Sequence, residues 1–251
     1  MSVLRLPFTI ATVAGIHICC TPPNPNVEGE GKRMTELEGW IQFNNFIPIV
    51  KVKPLKLEVT APAKDIPKNF LSSVAVIEIV AIIAHNAKEI PISQRISLAL
   101  MGGNDASRIQ IAPFSVLGIL LVAYGTWLRQ ICYRELGKQF TFQISLRENH
   151  KLVTTGPYAV VRHPSYTGGS LVILGTLCFY AARGSWVTES GILGTLIGKI
   201  LSYVVIASVI IPAAVLKKRW ETEDEALKKE FGKQWVEWAE RVRYAVLPGI
   251  L

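Results

Sequence analysis

The stretch NHKLVTTGPYAVVRHPSYTGGSLVILGTLCFY, residues 149–180, sets a dense polar run directly against an apolar one. Arg162, His163, Pro164, Ser165 and Tyr166 sit at the junction. Gly156-Pro157 is a turn signal. Pro164 suits the first position of a helix, where its missing N–H costs nothing and neighbouring free N–H groups can hold an anion. A helix is therefore expected to start at Pro164, with Tyr158, Arg162, His163 and Tyr166 close to its mouth. A belt of Tyr and Arg at a membrane interface accounts for the same residues without any chemistry.

Working outward, the rest of the chain has the composition of a membrane protein. Of its 251 residues 50% are hydrophobic and only 18% charged, too apolar for an ordinary soluble domain. The net charge of +8 then bears on sidedness rather than on nucleic-acid binding, and no nucleic-acid partner is expected. Cys19, Cys20, Cys132 and Cys178 lack CxxC spacing, so neither a metal site nor a disulfide framework is supported, and all four are expected as buried thiols. The run 3–20 is followed by TPPNPN without a small-x-small cleavage site, which favours a retained span. The final Pro-Gly-Ile-Leu carries no lipidation box.

A span takes about 20 apolar residues, and the stretches 3–20, 70–87, 111–131, 168–182 and 192–216 qualify or nearly qualify. The expected fold class is an all-α integral membrane protein of about five transmembrane helices, with a cytoplasmic C-terminal helical tail completing the site. Residues 1–142 would form N-terminal membrane helices and a basic loop, and 143–251 the catalytic region. Lys32, Arg33, Lys51, Arg134, Lys138, Arg147, Lys151, Arg162 and the basic tail fall on one side, against little more than Arg5, Lys88, Arg95, Arg108 and Arg183 on the other. The positive-inside rule puts the quoted loop and the tail together in the cytosol. Residues 21–69, rich in Pro, Asn and Lys, are expected to be a loop on the headgroups.

In the tail, Trp220, Leu227, Phe231, Trp235, Trp238 and Val242 recur at helical spacing and predict one apolar stripe. Glu223 falls on that stripe, one turn after Arg219. A carboxylate there is costly without a partner, so it calls for a cationic ligand or Arg219. Asp224 with Lys228, and Glu225 with Lys229, are expected as ordinary exposed pairs.

Two separated motifs now carry a resemblance. NHKLVTTGPYAVVRHPSYTG, followed by a spanning hairpin and then by R-x-x-x-E-D-x-x-L-x-x-x-F-G and a final R-V…L-P, resembles the isoprenylcysteine carboxyl methyltransferase family from about residue 143 onward. That family is a multi-pass enzyme of the endoplasmic reticulum membrane that uses S-adenosyl-L-methionine to methylate the C-terminal carboxylate of a prenylated cysteine. The resemblance implies cofactor contacts from Gln143, His150, Lys151, Leu152, Val153, Tyr158, His163, Pro164, Ser165, Tyr166 and Glu223. It also implies that Arg219 meets the substrate carboxylate, and that Arg162 and Arg241 are arginines near the reaction centre, with the active site facing the cytosol. Two departures stand: the family's double Glu is Glu223-Asp224 here, and position 151 is Lys.

The residues suit those roles. The carboxylate end of such a cofactor seeks donors at a helix N-terminus and His163, while its ammonium seeks a carboxylate such as Glu223. The implied partners are a prenylated protein C-terminus or prenylcysteine, and the lipid bilayer. A phospholipid amine methyltransferase, a sterol reductase and a non-catalytic receptor or transporter are the competing readings. The amine substrate of the first would have less use for Arg219. Farnesyl versus geranylgeranyl preference, the protein substrates and the oligomeric state are not written in these residues.

Overall fold

The computed structural model describes residues 2–21, 23–24, 66–140 and 151–249. Among the described residues there are helices and turns and no strand. The longer helices are α1 (Leu6–Cys20), α2 (Ile66–Asn86), α3 (Pro91–Leu100), α4 (Pro113–Leu136), α5 (Pro164–Ala181), α6 (Leu196–Phe231) and α7 (Lys233–Arg241). Four helical stretches are long and apolar enough to cross a membrane: Ser2–Cys20, Lys68–Asn86, Pro113–Gln139 and Pro164–Glu189. The chain is thus an all-α protein of the integral membrane kind.

Of the fifth apolar stretch, expected at 192–216, the turn Ile192–Gly194, entered through Gly191 at φ 77, takes the first residues, and α6 begins at Leu196 and runs through the remainder. Two expectations need correcting. The tail is two helices rather than one stripe: α6 stops at Phe231, and Gly232 takes φ 52, ψ −118, a conformation only glycine reaches without strain. Cys20 is exposed, whereas Cys19, Cys132 and Cys178 are buried. The headgroup loop expected at 21–69 falls almost entirely outside the described residues, as does the expected division at 142/143, and residues 66–69 are already helical.

The chain divides into two compact units. The first comprises residues 1–20, 60–126 and 170–206. Its core gathers Val74, Ala81, Ile82, Met101, Ile109, Phe179 and Trp186. Small residues let its helices close: a Cβ on Gly118 would lie 2.6 Å from the Gly175 carbonyl oxygen, and one on Gly15 would lie 2.6 Å from Val122 Cγ1.

At the centre of this unit Arg5 and Glu78 are both fully buried and paired, Nε to Oε1 at 2.9 Å. Arg5 also donates to Ser115 Oγ at 3.0 Å and to the carbonyls of Gln110 and Phe179 at 3.1 and 3.0 Å, and lies over the Phe179 ring. Glu78 accepts from the Thr9 hydroxyl at 2.7 Å and from the Trp186 N–H at 2.8 Å. Ions with this many partners tolerate loss of water, whereas removing one of them strands the other. Arg5, immediately before α1, is thus buried by its partners.

The second unit comprises residues 21–59, 127–169 and 207–251. One cluster packs Leu128, Cys132, Tyr158, Trp238 and Val242, and another packs Trp220, Ala245 and Val246 with Tyr166. The Asn24 side-chain amide donates to the carbonyls of Gly137 and Phe140, at 2.8 and 3.0 Å, tying the N-terminal part of this unit to the end of α4.

Thermal unfolding in detergent should separate pairing from packing in the first unit. Glu78→Leu alone should cost about 3–5 kcal/mol by leaving Arg5 unpaired, and the double variant Arg5→Met/Glu78→Leu should recover most of that loss.

Candidate functional site: a carboxylate, an imidazole and two arginines

The second unit assembles the quoted loop from the backbone outward. Gly156 takes φ 58, and a Cβ there would press on the Glu135 carboxylate at 3.0 Å, so glycine suits the position twice over. Thr155 donates to the same carboxylate at 2.8 Å. The expected turn follows as Gly156–Ala159. It buries Tyr158 against Leu128 and Trp238, whose indole N–H donates to the Tyr158 carbonyl at 3.1 Å.

From there the chain lies along the tail. The Arg162 N–H donates to the Tyr244 carbonyl at 2.9 Å, and the His163 N–H to that of Ala245 at 2.7 Å. One turn later Thr167 donates to the Val246 carbonyl at 2.6 Å. The helix begins at Pro164, where the sequence expects it.

Four side chains then converge on the Glu223 carboxylate and its neighbour. Tyr166 donates its hydroxyl to Glu223 Oε2 at 2.6 Å and accepts from Arg219 Nε at 2.9 Å. His163 is 4% exposed, and its Nδ1 stands 3.4 Å from Glu223 Oε2 while its Nε2 is 3.0 Å from Asp224 Oδ1. The rings of His163 and Tyr166 are stacked, 5.5 Å apart. Arg162 pairs through Nε with Asp224 Oδ2 at 3.1 Å and donates through Nη1 to the carbonyls of Val242 and Arg243, at 3.0 and 2.6 Å.

The electrostatics follow from this crowding. Burial alone would push Glu223 up, but the His163 charge, hydrogen bonds from His163 and Tyr166, and Arg219 outweigh it and bring the carboxyl down to about 2. Burial alone would push His163 down, but Glu223 and Asp224 outweigh it and raise the imidazole to about 9. Burial likewise disfavours the Arg219 charge, yet Tyr166 and Glu223 raise it above its ordinary value. At neutral pH the cluster therefore holds three positive charges, on Arg162, His163 and Arg219, against two negative ones, on Glu223 and Asp224. It is ionised, partly desolvated and suited to one further anionic group.

Of the residues singled out from sequence, Arg162, His163, Pro164, Ser165, Tyr166, Arg219 and Glu223 lie in or beside this cluster. Tyr158 stands close enough to Glu223 to feel its charge, and burial raises its hydroxyl well above the usual range. Leu152 and Val153 pack half-buried on the Tyr158 cluster. Lys151 is exposed, and its backbone N–H donates to the Gln139 side chain. Gln143 and His150 lie outside the described residues. Arg241 is not brought into the cluster: it is exposed, with Nε 3.4 Å from the Glu237 carbonyl of its own helix.

Two side chains escape the sequence reading. Asp224, expected as an exposed partner of Lys228, is 13% exposed and instead pairs with Arg162 and His163, because α6 turns it toward the loop beside Glu223. Arg129, within an apolar run, is 7% exposed and donates to the Tyr133 hydroxyl at 2.7 Å and to the carbonyl and hydroxyl of Ser165, at 2.9 and 3.1 Å. An arginine inside a span is itself the signal that marks it, since such a charge needs partners.

Comparison with known proteins bears on the same region. The family model described as phospholipid methyltransferase matches residues 114–234. Protein-S-isoprenylcysteine O-methyltransferase B of Arabidopsis thaliana is 32% identical over 130 residues, covering 51% of this chain and 56% of that protein. Protein-S-isoprenylcysteine O-methyltransferase of Homo sapiens is 41% identical over 69 residues, 27% of this chain and 24% of its own length. The chain thus spans about half the length of the plant relative or less of the human one. The matched residues 114–234 hold Arg129, the His163–Tyr166 turn, Arg219 and the Glu223-Asp224 pair, so the similarity to the phospholipid methyltransferase model falls on the cluster itself.

Proposed function

We propose that this chain is a membrane methyltransferase that moves a methyl group from S-adenosyl-L-methionine to the C-terminal carboxylate of a prenylated cysteine. The observation that carries the proposal is the meeting of Tyr166, Glu223 and Arg219 through hydrogen bonds of 2.6 and 2.9 Å. The names of the similar proteins, which specify isoprenylcysteine O-methylation, support the substrate.

The residues present fit such a methyl donor. Glu223 is ionised and 32% exposed, so it can receive an ammonium without being stranded in its absence. The backbone N–H groups at the start of α5 can receive the donor's carboxylate. The chemistry supplied by the bound donor is an electrophilic methyl group on a sulfonium. The chain's own task is positional. A carboxylate with a pKa of about 4 is already ionised at neutral pH and calls for no general base. Arg219, fixed at Nε by the Tyr166 hydroxyl, orients that carboxylate and offsets its loss of water. Holding the two reactants in line can lower the barrier by up to about 7–11 kcal/mol.

The place of the site also has a cause. An isoprenoid chain prefers hydrocarbon by about 0.8 kcal/mol per buried methylene, whereas the methyl donor is soluble. A cluster at the start of a membrane-competent helix serves both. We assign the site to the cytosolic face of the endoplasmic reticulum membrane, because the basic residues of the loop and tail collect on one side. A second reading, methylation of a phospholipid amine, is favoured by the description of the matching family.

Detergent-solubilised protein with labelled S-adenosyl-L-methionine should methylate N-acetyl-S-farnesylcysteine. Activity confined to phosphatidylethanolamine would establish the second reading in its place. Glu223→Gln should weaken binding of the methyl donor by about tenfold to a hundredfold in direct titration, as expected for loss of a charged hydrogen bond. Arg219→Ala should raise KM for the farnesylcysteine by roughly tenfold or more while leaving donor affinity within about threefold.

A further inference from the structure

Asp224 touches neither of the groups assigned to Arg219 and Glu223, yet it is one of the best anchored carboxylates of the second unit. Its Oδ2 is held by Arg162 Nε at 3.1 Å, and Arg162 is itself pinned by the carbonyls of Val242 and Arg243. Its Oδ1 faces His163 Nε2 at 3.0 Å. The other ring nitrogen faces Glu223 Oε2 at 3.4 Å. A neutral imidazole donates from only one nitrogen, and only the doubly protonated ring presents a donor to both carboxylates at once.

We infer that Asp224 is a positioning residue: through Nε2 it fixes His163 as an imidazolium whose Nδ1–H holds the Glu223 carboxylate in place. This rests on the reading of Glu223 as the carboxylate that receives the donor's ammonium. It excludes His163 as a proton carrier in the transfer, since the ring is committed as a donor on both sides. It also gives the second acidic position of the Glu223-Asp224 pair a task distinct from the first.

The groups that face His163 can be named for each neighbouring element. From α6 come Glu223 and Asp224, with Arg219 behind Tyr166. From α5 comes Tyr166 itself, and Arg162 precedes the ring in the chain. The tail presents backbone to His163, through the Ala245 carbonyl. The negative partners outweigh burial and raise the imidazole to about 9 from 6.5. A histidine raised in this way contributes stability fully below about 6.5, and that contribution is lost as pH rises through about 9. The carboxylate it holds should lose its orientation over the same alkaline range.

The test is a titration of the full chain in detergent, with labelled histidine followed by NMR and the His163 signal identified by its loss in His163→Gln. In the parent the ring should stay protonated to about pH 8 and titrate near 9. Asp224→Asn should weaken its proton affinity by about tenfold or more, and Asp224→Glu should restore it. Donor affinity should lose its alkaline limb at a correspondingly lower pH in Asp224→Asn, with KM for the farnesylcysteine unchanged. A parent ring already neutral at about pH 7.5, or an Asp224→Asn titration within threefold of the parent, would overturn the inference whether or not that variant is stable. Because the NMR titration needs no ligand, a protein that shows it but methylates no farnesylcysteine would refute the proposed reaction and leave the role of Asp224 standing.

Discussion

The hydrogen bond from the Tyr166 hydroxyl to Glu223, 2.6 Å long, joins the two separated pieces of chain on which the site depends. A carboxylate in a crowded, partly dry place tends to take up a proton, which would make it useless to a cationic ligand. Here Tyr166, His163 and Arg219 supply enough donors and positive charge to reverse that tendency. The price is an equally crowded set of cations, which Asp224 helps to neutralise. Charge, burial and chain connectivity are therefore settled by one constellation rather than by separate devices.

The first unit obeys the same constraint for a different end. Arg5 and Glu78 are buried in helices that are otherwise apolar, and each has its donors or acceptors matched by side chains and main chain. Such a hub ties α1, α2 and the neighbouring helices by directional bonds where packing against lipid gives little direction. It differs from the Glu223 cluster in exposure: Glu78 is sealed, whereas Glu223 remains open by about a third.

Much of this could be read from local pattern. Apolar runs gave the helices, Gly156-Pro157 the turn, and Pro164 the helix start, since each depends on neighbours in sequence. Glu223 was legible because a carboxylate on an apolar stripe is anomalous wherever it falls. Asp224 is not legible in this way, because its local context offers Lys228 at the right spacing and nothing nearby announces Arg162 across 62 residues. The apolar periodicity of the stripe runs straight through Gly232, whereas the break there is a property of the backbone. Arg5 and Arg241 mark the same limit from opposite directions. Arg5, a charge that counts for sidedness, is also half of a buried pair whose partner lies 73 residues away, and Arg241, expected at the reaction centre, stands exposed on α7.

The pairing of Arg162 and His163 with the tail has a consequence for biosynthesis. Their amides and guanidinium emerge from the ribosome about eighty residues before the carbonyls that receive them. During that interval the donors of the loop lack the acceptors that the tail will supply, and a buried donor without a partner is costly. The membrane-competent helices of a nascent chain are thus complete well before the loop can meet the tail, and closure of the cluster waits for the last residues to be made.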